Sequence, residues 1–141
     1  MEVEKWKDIE GYEGKYQVST LGRVRSLNYI RKGMISELRQ GRGKKRYNKV
    51  VLYMDGKPKT YYVHRLVIQT FLGQAPEGKP CVDHIDGNFL NNKLSNLRYV
   101  SYKENANNPS TRRKYLEVIN SPEFQERKKR AIMRKKAVLL M

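Results

Sequence analysis

Apolar and polar positions change their rhythm along this chain, and the change divides it into a strand-rich first half and a helical end. In "YQVSTLGRVRSL", Tyr16 to Leu27, the apolar positions Val18, Val24 and Leu27 lie either side of Ser19 to Gly22, which predicts two short strands around a turn served by Gly22. Two further strand-like runs, "VVLYM" and "TYYV", flank Asp55-Gly56, a hairpin signal. His64, Val67, Ile68 and Phe71 then recur at spacings of three and four, predicting a short helix that ends near Gly73. His64 begins that helix with apolar positions behind it and reads as structural rather than as a ligand.

After Pro109, "TRRKYLEVIN" and "SPEFQERKKRAIMRKKAVLL" both read as helices. The second opens with Ser121 as N-cap, Pro122 in the first turn, and Glu123 and Glu126 near the positive helix end. Phe124, Ala131, Ile132, Val138 and Leu139 give it an apolar stripe, suited to packing on a core or a partner while its basic face lies on phosphates. A solvated tail is the plainer alternative.

Between these halves lies "VDHIDGNFLNNKLSNLRYVSYKENANN", Val82 to Asn108, where an aspartate-histidine pair is followed by seven asparagines. Asp86-Gly87-Asn88 predicts a tight turn, "FLNNKLSN" a loop and "LRYVS" a returning strand. "SYKE" forms a capping box, so a helix is expected from Ser101 with Asn105 near its first turn. The segment reads as strand, loop, strand, helix. Amides both donate and accept, which suits an irregular loop whose backbone lacks ladder partners. Neighbours on a strand point to opposite faces, yet at a strand end Asp83 and His84 can serve one site.

Charge sharpens this picture. The 141 residues hold 30 Lys plus Arg against 14 Asp plus Glu, a formal charge of +16, and such an excess seeks a polyanion. Nucleic acid is the expected partner; an acidic membrane surface fits poorly, because no apolar run approaches the roughly 18 to 20 residues of a bilayer span. A ribosomal or packaging role stays open on charge alone. The N-terminus does not read as a signal peptide, and the single cysteine, Cys81, permits no internal disulfide, so a reducing cytoplasm is expected. Candidate phosphate contacts are Arg23 and Arg25, two apart on one strand face; Arg42, Lys44, Lys45 and Arg46 in the glycine-spaced loop Gln40 to Arg46; Arg65; and Arg127, Lys128 and Arg130. Tyr47, Tyr53, Tyr61 and Tyr62 interleave with basic residues, a pattern shared by nucleic-acid binders and ordinary strands.

Asp83, His84, Asp86, Gly87, Asn88, Asn91, Asn92, Asn96 and Leu97 together match a "DHxDGNxxNNxxxNL" pattern, and here the chain resembles the HNH endonucleases of the phage and intron homing type. "VHRLVIQTF" resembles the segment leading into that motif. "WKDIEGYEGKYQVSTLGRVRSL", Trp6 to Leu27, resembles a small modular DNA-binding motif found ahead of such nucleases. The resemblance runs from about residue 5 to 108. It implies an α+β fold of short antiparallel strands, a ββα-metal hairpin and C-terminal helices. It also implies three regions: a β-rich DNA-binding part over 1–62, a nuclease core over 63–109 and a basic helical extension over 110–141.

The implied activity is metal-dependent hydrolysis of a DNA phosphodiester to a 5′ phosphate and a 3′ hydroxyl. Asp83 and Asn105 are the implied ligands of a divalent metal, Mg²⁺ or Mn²⁺, both offering the oxygen such ions prefer. His84 is the implied general base, an imidazole having an ordinary pKa of about 6.5 and thus a neutral form at working pH. Asn96 is implied to hold the loop backbone and to help orient His84. One metal site per chain implies a monomer that nicks one strand of double-stranded DNA, a double-strand break requiring a dimer or two events. About 32 residues follow Pro109, few for the second recognition module that intron-encoded relatives carry. A DNA-binding module with a lapsed site, and an RNA-binding or packaging protein working through its C-terminal helix, are the rival readings.

Overall fold

The computed structural model describes residues 2–29, 32–42 and 47–140, so Lys44, Lys45 and Arg46 of the basic loop lie outside the described residues. The chain forms two compact units, residues 1–105 and 106–141.

In the first unit, β1 (Trp6–Asp8), β2 (Tyr16–Ser19), β3 (Val24–Tyr29) and β4 (Met34–Glu37) form an antiparallel sheet in sequence order. The expected turn joins β2 to β3. Ser19 Oγ accepts from the backbone N–H of Leu21 and Arg23, and Gly22 supplies the left-handed residue at φ +83°. A second sheet contains β5 (Gly41–Arg42), β6 (Asn48–Met54) and β7 (Lys57–Tyr62). Asp55 and Gly56 have φ of 51° and 75°, two successive left-handed residues, which is the turn that matches strand twist in a two-residue hairpin.

Helix α1 (Val63–Leu72) buries Val63, His64, Leu66, Val67 and Ile68 and stops at Gly73. Its buried face meets Val18 and Val24 of the first sheet and Val50 and Leu52 of the second in one core, which Ile9, Tyr12 and Leu97 complete. Residues 1–105 therefore share a hydrophobic core, and the N-terminal strands are part of the support on which the later hairpin rests.

That hairpin consists of β8 (Cys81–His84) and β9 (Leu97–Val100), paired antiparallel, with a single 3-10 turn over Leu94–Asn96 before β9. Helix α2 (Tyr102–Ala106) follows. The capping box is present: Glu104 N–H donates to Ser101 Oγ, and Ser101 N–H donates to Glu104 Oε1. The architecture is mixed α+β.

In the second unit, α3 (Pro109–Ile119) starts two residues before "TRRKYLEVIN", because Asn108 caps it by accepting from Ser110 N–H and Pro109 takes the first turn. Helix α4 (Pro122–Leu139) opens at Ser121, whose Oγ accepts from Phe124 N–H. None of the described α4 residues is buried. Its stripe faces solvent, from Phe124 at 37% exposure to Leu139 at 85%.

Candidate active site

The β8–β9 pairing places Asp83 opposite Arg98 and His84 opposite Leu97 at the mouth of the hairpin. Both members of the aspartate-histidine pair are buried, each about 4% exposed. Asp83 Oδ2 accepts from Arg98 Nε at 2.9 Å, so this buried carboxylate has a cation across the ladder. Arg98 carries no special signal when the chain is read in order; only the register of the hairpin reveals it.

His84 sits in a nest of rings. Its centroid lies 5.2 Å from His64, 5.8 Å from Phe89 and 6.0 Å from Tyr47, the last nearly parallel at 20°. Its Nε2 lies 2.8 Å from Asn92 Oδ1. Asn96, implied to help orient the ring, has its contacts elsewhere. It accepts from Asp86 N–H and donates to Asp86 Oδ1 and to the carbonyl of Asn91, while its own carbonyl receives Ile85 N–H. Asn96 thus holds the loop, and Asn92 is the amide that meets the histidine.

Asp86 is the hub of this loop. Its carboxylate accepts from Asn88 N–H, Asn91 Nδ2 and Asn96 Nδ2. Burial pushes the Asp86 carboxyl upward, but these bonds, with the nearby His84 ring, outweigh it and hold the pKa below the usual value of 3.8. Asn88 Oδ1 accepts from Leu90 N–H, a second local turn bond. The asparagines therefore divide the work: Asn88 and Asn96 fasten backbone, Asn91 braces the Asp86 carboxylate, and Asn92 meets the ring.

His64 is buried, and burial first, then the neighbouring His84 and Arg65, pushes its pKa down to about 3. It is a neutral imidazole at any physiological pH. Its Nδ1 has no hydrogen-bond partner among the described residues. His64 and Arg65 line a pocket of about 310 Å³ together with Asn105, Tyr47, Tyr62, Tyr102 and the start of β8. A sequence reading that takes His64 as structural is compatible with its burial, but misses that it lies against the ring of His84.

Among the described residues, no group of three or more His, Cys, Asp and Glu side chains is placed to hold a metal ion. Asp83 and Asn105 each offer an oxygen donor, the chemistry a hard divalent ion takes, and such an ion commonly keeps waters and accepts phosphate oxygens into its remaining positions.

The basic candidates separate. Arg23 Nη1 meets Glu4 at 2.7 Å and Arg23 Nη2 meets Glu37 at 2.9 Å, and the hydrogen bond from Arg23 holds the Glu37 carboxyl below its usual range. Arg25 donates to Gln17 and lies 4.0 Å above the Trp6 ring, on which Arg23 also rests at 5.4 Å. The two arginines share a face, as their spacing predicts, and that face carries its own partners. Arg130 pairs with Glu126 at 3.7 Å along α4, a long and exposed contact. Arg42 and Arg65 are exposed, as are Arg127 and Lys128.

Comparison with known proteins matches residues 61–107 to the family described as HNH endonuclease and residues 4–66 to the NUMOD4 motif. The chain is 45% identical over 108 residues to the DNA endonuclease I-HmuI of Bacillus phage SP01, across 77% of this chain and 59% of that protein. A putative HNH homing endonuclease from an SPbeta prophage of Bacillus subtilis is 52% identical over 46 residues, covering 33% of this chain and 26% of that one. A solved structure described as DNA binding and cleavage by the HNH homing endonuclease I-HmuI superposes with a TM-score of 0.65 at 42% identity, covering 82% of this chain and 66% of the other. The chain thus spans about three fifths of the length of its phage relative.

Proposed function

This chain belongs to the HNH endonuclease family, and on that premise we propose that it hydrolyses a phosphodiester of double-stranded DNA to a 5′ phosphate and a 3′ hydroxyl. The observation that carries the reading is a buried histidine at the end of a strand, beside a buried carboxylate and fixed by an amide of its own loop.

In this reading His84 takes the proton from the water that attacks phosphorus. Asp83 and Asn105 would hold a divalent metal, Mg²⁺ or Mn²⁺, which when bound would supply positive charge to offset the negative charge developing on the phosphate and the 3′ leaving group. Arg98 fixes the orientation of the Asp83 carboxylate. Asn96 holds the loop from which Asp83 and His84 are presented. Arg65, exposed and lining one pocket with His64 and Asn105, is the candidate for a phosphate contact on this wall.

Further regions follow from the same premise: residues 1–62 engage DNA, 63–109 cut it, and 110–141 add a basic extension through Arg127, Lys128 and Arg130. Arg42 and the adjoining basic loop are the further duplex contacts from the first region. Arg23 and Arg25 reach DNA only by sharing or exchanging the partners they already have. A monomer nicks one strand, as a phage homing-type nuclease acting in the cytoplasm of a bacterial host. No helix among the described residues is long and apolar enough to cross a membrane.

The test is incubation with supercoiled plasmid in Mg²⁺, in Mn²⁺ and in chelator, with His84→Ala alongside, the plasmid carrying insertion sites of related phage elements. Open-circle product that requires both metal and His84 is expected. Plasmid that is shifted but uncut under every condition supports the non-catalytic DNA-binding alternative instead.

A further inference from the structure

We propose that Asn92 is a positioning residue for His84, selecting the tautomer in which Nε2 carries the proton, and that the turn Ser19 to Gly22 of the N-terminal motif holds Asn92 in place. The inference rests on the nuclease reading for its catalytic meaning.

Three observations converge on it. Asn92 is about 4% exposed and its Oδ1 lies 2.8 Å from His84 Nε2, inside the site. An amide oxygen can only accept, so the facing ring nitrogen donates, and the lone pair is left on Nδ1. The rings of Tyr47, His64 and Phe89 fix the plane of the imidazole but do not distinguish one nitrogen from the other. Asn92 alone among these neighbours makes that distinction.

The second observation concerns the other half of the amide. Asn92 Nδ2 is buried with no hydrogen-bond partner among the described residues. A buried unmatched N–H is unfavourable, and a leucine of similar size would not carry that penalty. Packing alone does not account for an amide here, whereas a bond to the base does.

The third is the backing of Asn92. Gly22, at φ +83°, presses on it so closely that a Cβ at residue 22 would lie 2.9 Å from Asn92 Cβ and 3.0 Å from its carbonyl oxygen. Two residues on, Leu94 N–H donates to Thr20 O at 2.8 Å, tying the same turn to the same loop. The element that resembles a DNA-binding motif is thus also the back wall of the residue that orients the base.

The experiment has two arms on the full chain. In the first, nitrogen-15 NMR of the two histidine rings, at a pH where both are neutral, reads the tautomer of His84 without any turnover; a protonated Nε2 is expected, and a protonated Nδ1 overturns the proposal. In the second, single-turnover cleavage and DNA dissociation constants are compared for wild type, Asn92→Leu and Asn92→Asp. Asn92→Leu should cut about a hundredfold more slowly at an unchanged dissociation constant, the scale of a general base out of alignment. Asn92→Asp, which keeps an acceptor facing Nε2, should recover at least tenfold of that loss. A folded Asn92→Leu that cuts at the wild-type rate overturns the proposal, and if that variant does not fold, the tautomer decides. Absence of cleavage by the wild type sinks the nuclease reading and the catalytic role with it, an outcome distinct from a wrong tautomer.

Discussion

The loop between β8 and β9 and the helix α4 invert the usual association of regular backbone with firm anchoring. Residues 85–96 contain one 3-10 turn and otherwise no repeating structure, yet Asn92 and Asn96 are buried at 4% and 8% exposure and the loop is cross-braced by Asp86, Asn88 and Asn91. Helix α4 is eighteen residues of regular, properly capped backbone, and none of its described residues is buried. A helix satisfies its backbone within itself, without side chains reaching back to the chain. Holding the buried Asp83 and His84 at the end of a strand needs side chains that reach back to the chain, and short amides provide that at little entropic cost.

The sharpest way to break this contrast is Asn96→Ala. It deletes two donated bonds and one accepted bond and strands the Asn91 carbonyl and the Asp86 N–H. A destabilisation of about 2–4 kcal/mol is expected from buried groups left unmatched, with cleavage falling alongside. Urea unfolding monitored through Trp6 measures it; an unshifted midpoint would mean that Asp86, Asn88 and Asn91 suffice without Asn96.

Gly22→Ala comes next. A non-glycine residue at φ +83° costs about 1–2 kcal/mol, and the new Cβ also meets Asn92. The melting temperature should fall by several degrees and cleavage should fall further than the lost stability accounts for. A control that relieves only the conformational strain, Gly22→Asn, separates the collision from the dihedral less cleanly, so the ratio of cleavage to folded fraction is the quantity to report.

A titration gives the third effect. His64 has a folded pKa pushed down to about 3, against about 6.5 when unfolded. Between those values the unfolded chain binds a proton that the folded chain does not, so stability should decline as pH falls from about 6.5 toward 3 and stay flat above that window. His64→Gln should flatten the slope in chemical denaturation series at pH 7, 6, 5 and 4, and an undiminished slope would assign the loss to other groups.

Smallest in stability is the change on α4. Arg127→Ala with Lys128→Ala should leave the unfolding midpoint of residues 1–105 where it was. If both side chains meet phosphates, the salt dependence of DNA binding should become shallower by about 0.9 for each phosphate no longer neutralised, and an unchanged slope would remove this helix from the interface.

How much of this is legible in the chain depends on the range over which each feature is encoded. The turns at Ser19 to Gly22 and Asp55-Gly56, the caps at Ser101 and Ser121, and the apolar face of α1 are local, and their residue types announce them. The spacing of Asp83, His84, Asn96 and Asn105 is equally plain as a pattern. Arg98 across from Asp83 is not, because its identity as a partner depends on a register set by a long, irregular connection. It becomes readable once the hairpin is drawn with His84 opposite Leu97, since the next pair then sets an arginine against an aspartate. Arg23 illustrates the same limit from the other side. Its basic character suggests phosphate, but Glu4 and Glu37, distant in sequence, already surround it. Nor does any periodicity reveal that a turn near residue 20 backs an asparagine at 92.

That backing bears on the order in which the chain assembles as it is made. The Thr20–Leu94 bond and the close approach of Gly22 to Asn92 join segments far apart in sequence, so they are expected to form after the hairpins and α1, whose pairings are local. On the ribosome the first strands emerge long before the loop they support. A chain held with its exit point before residue 94 can assemble much of the first sheet yet still lack the seat of the His84 ring, so the packing around that ring would be complete only after nearly all of residues 1–105 had been released.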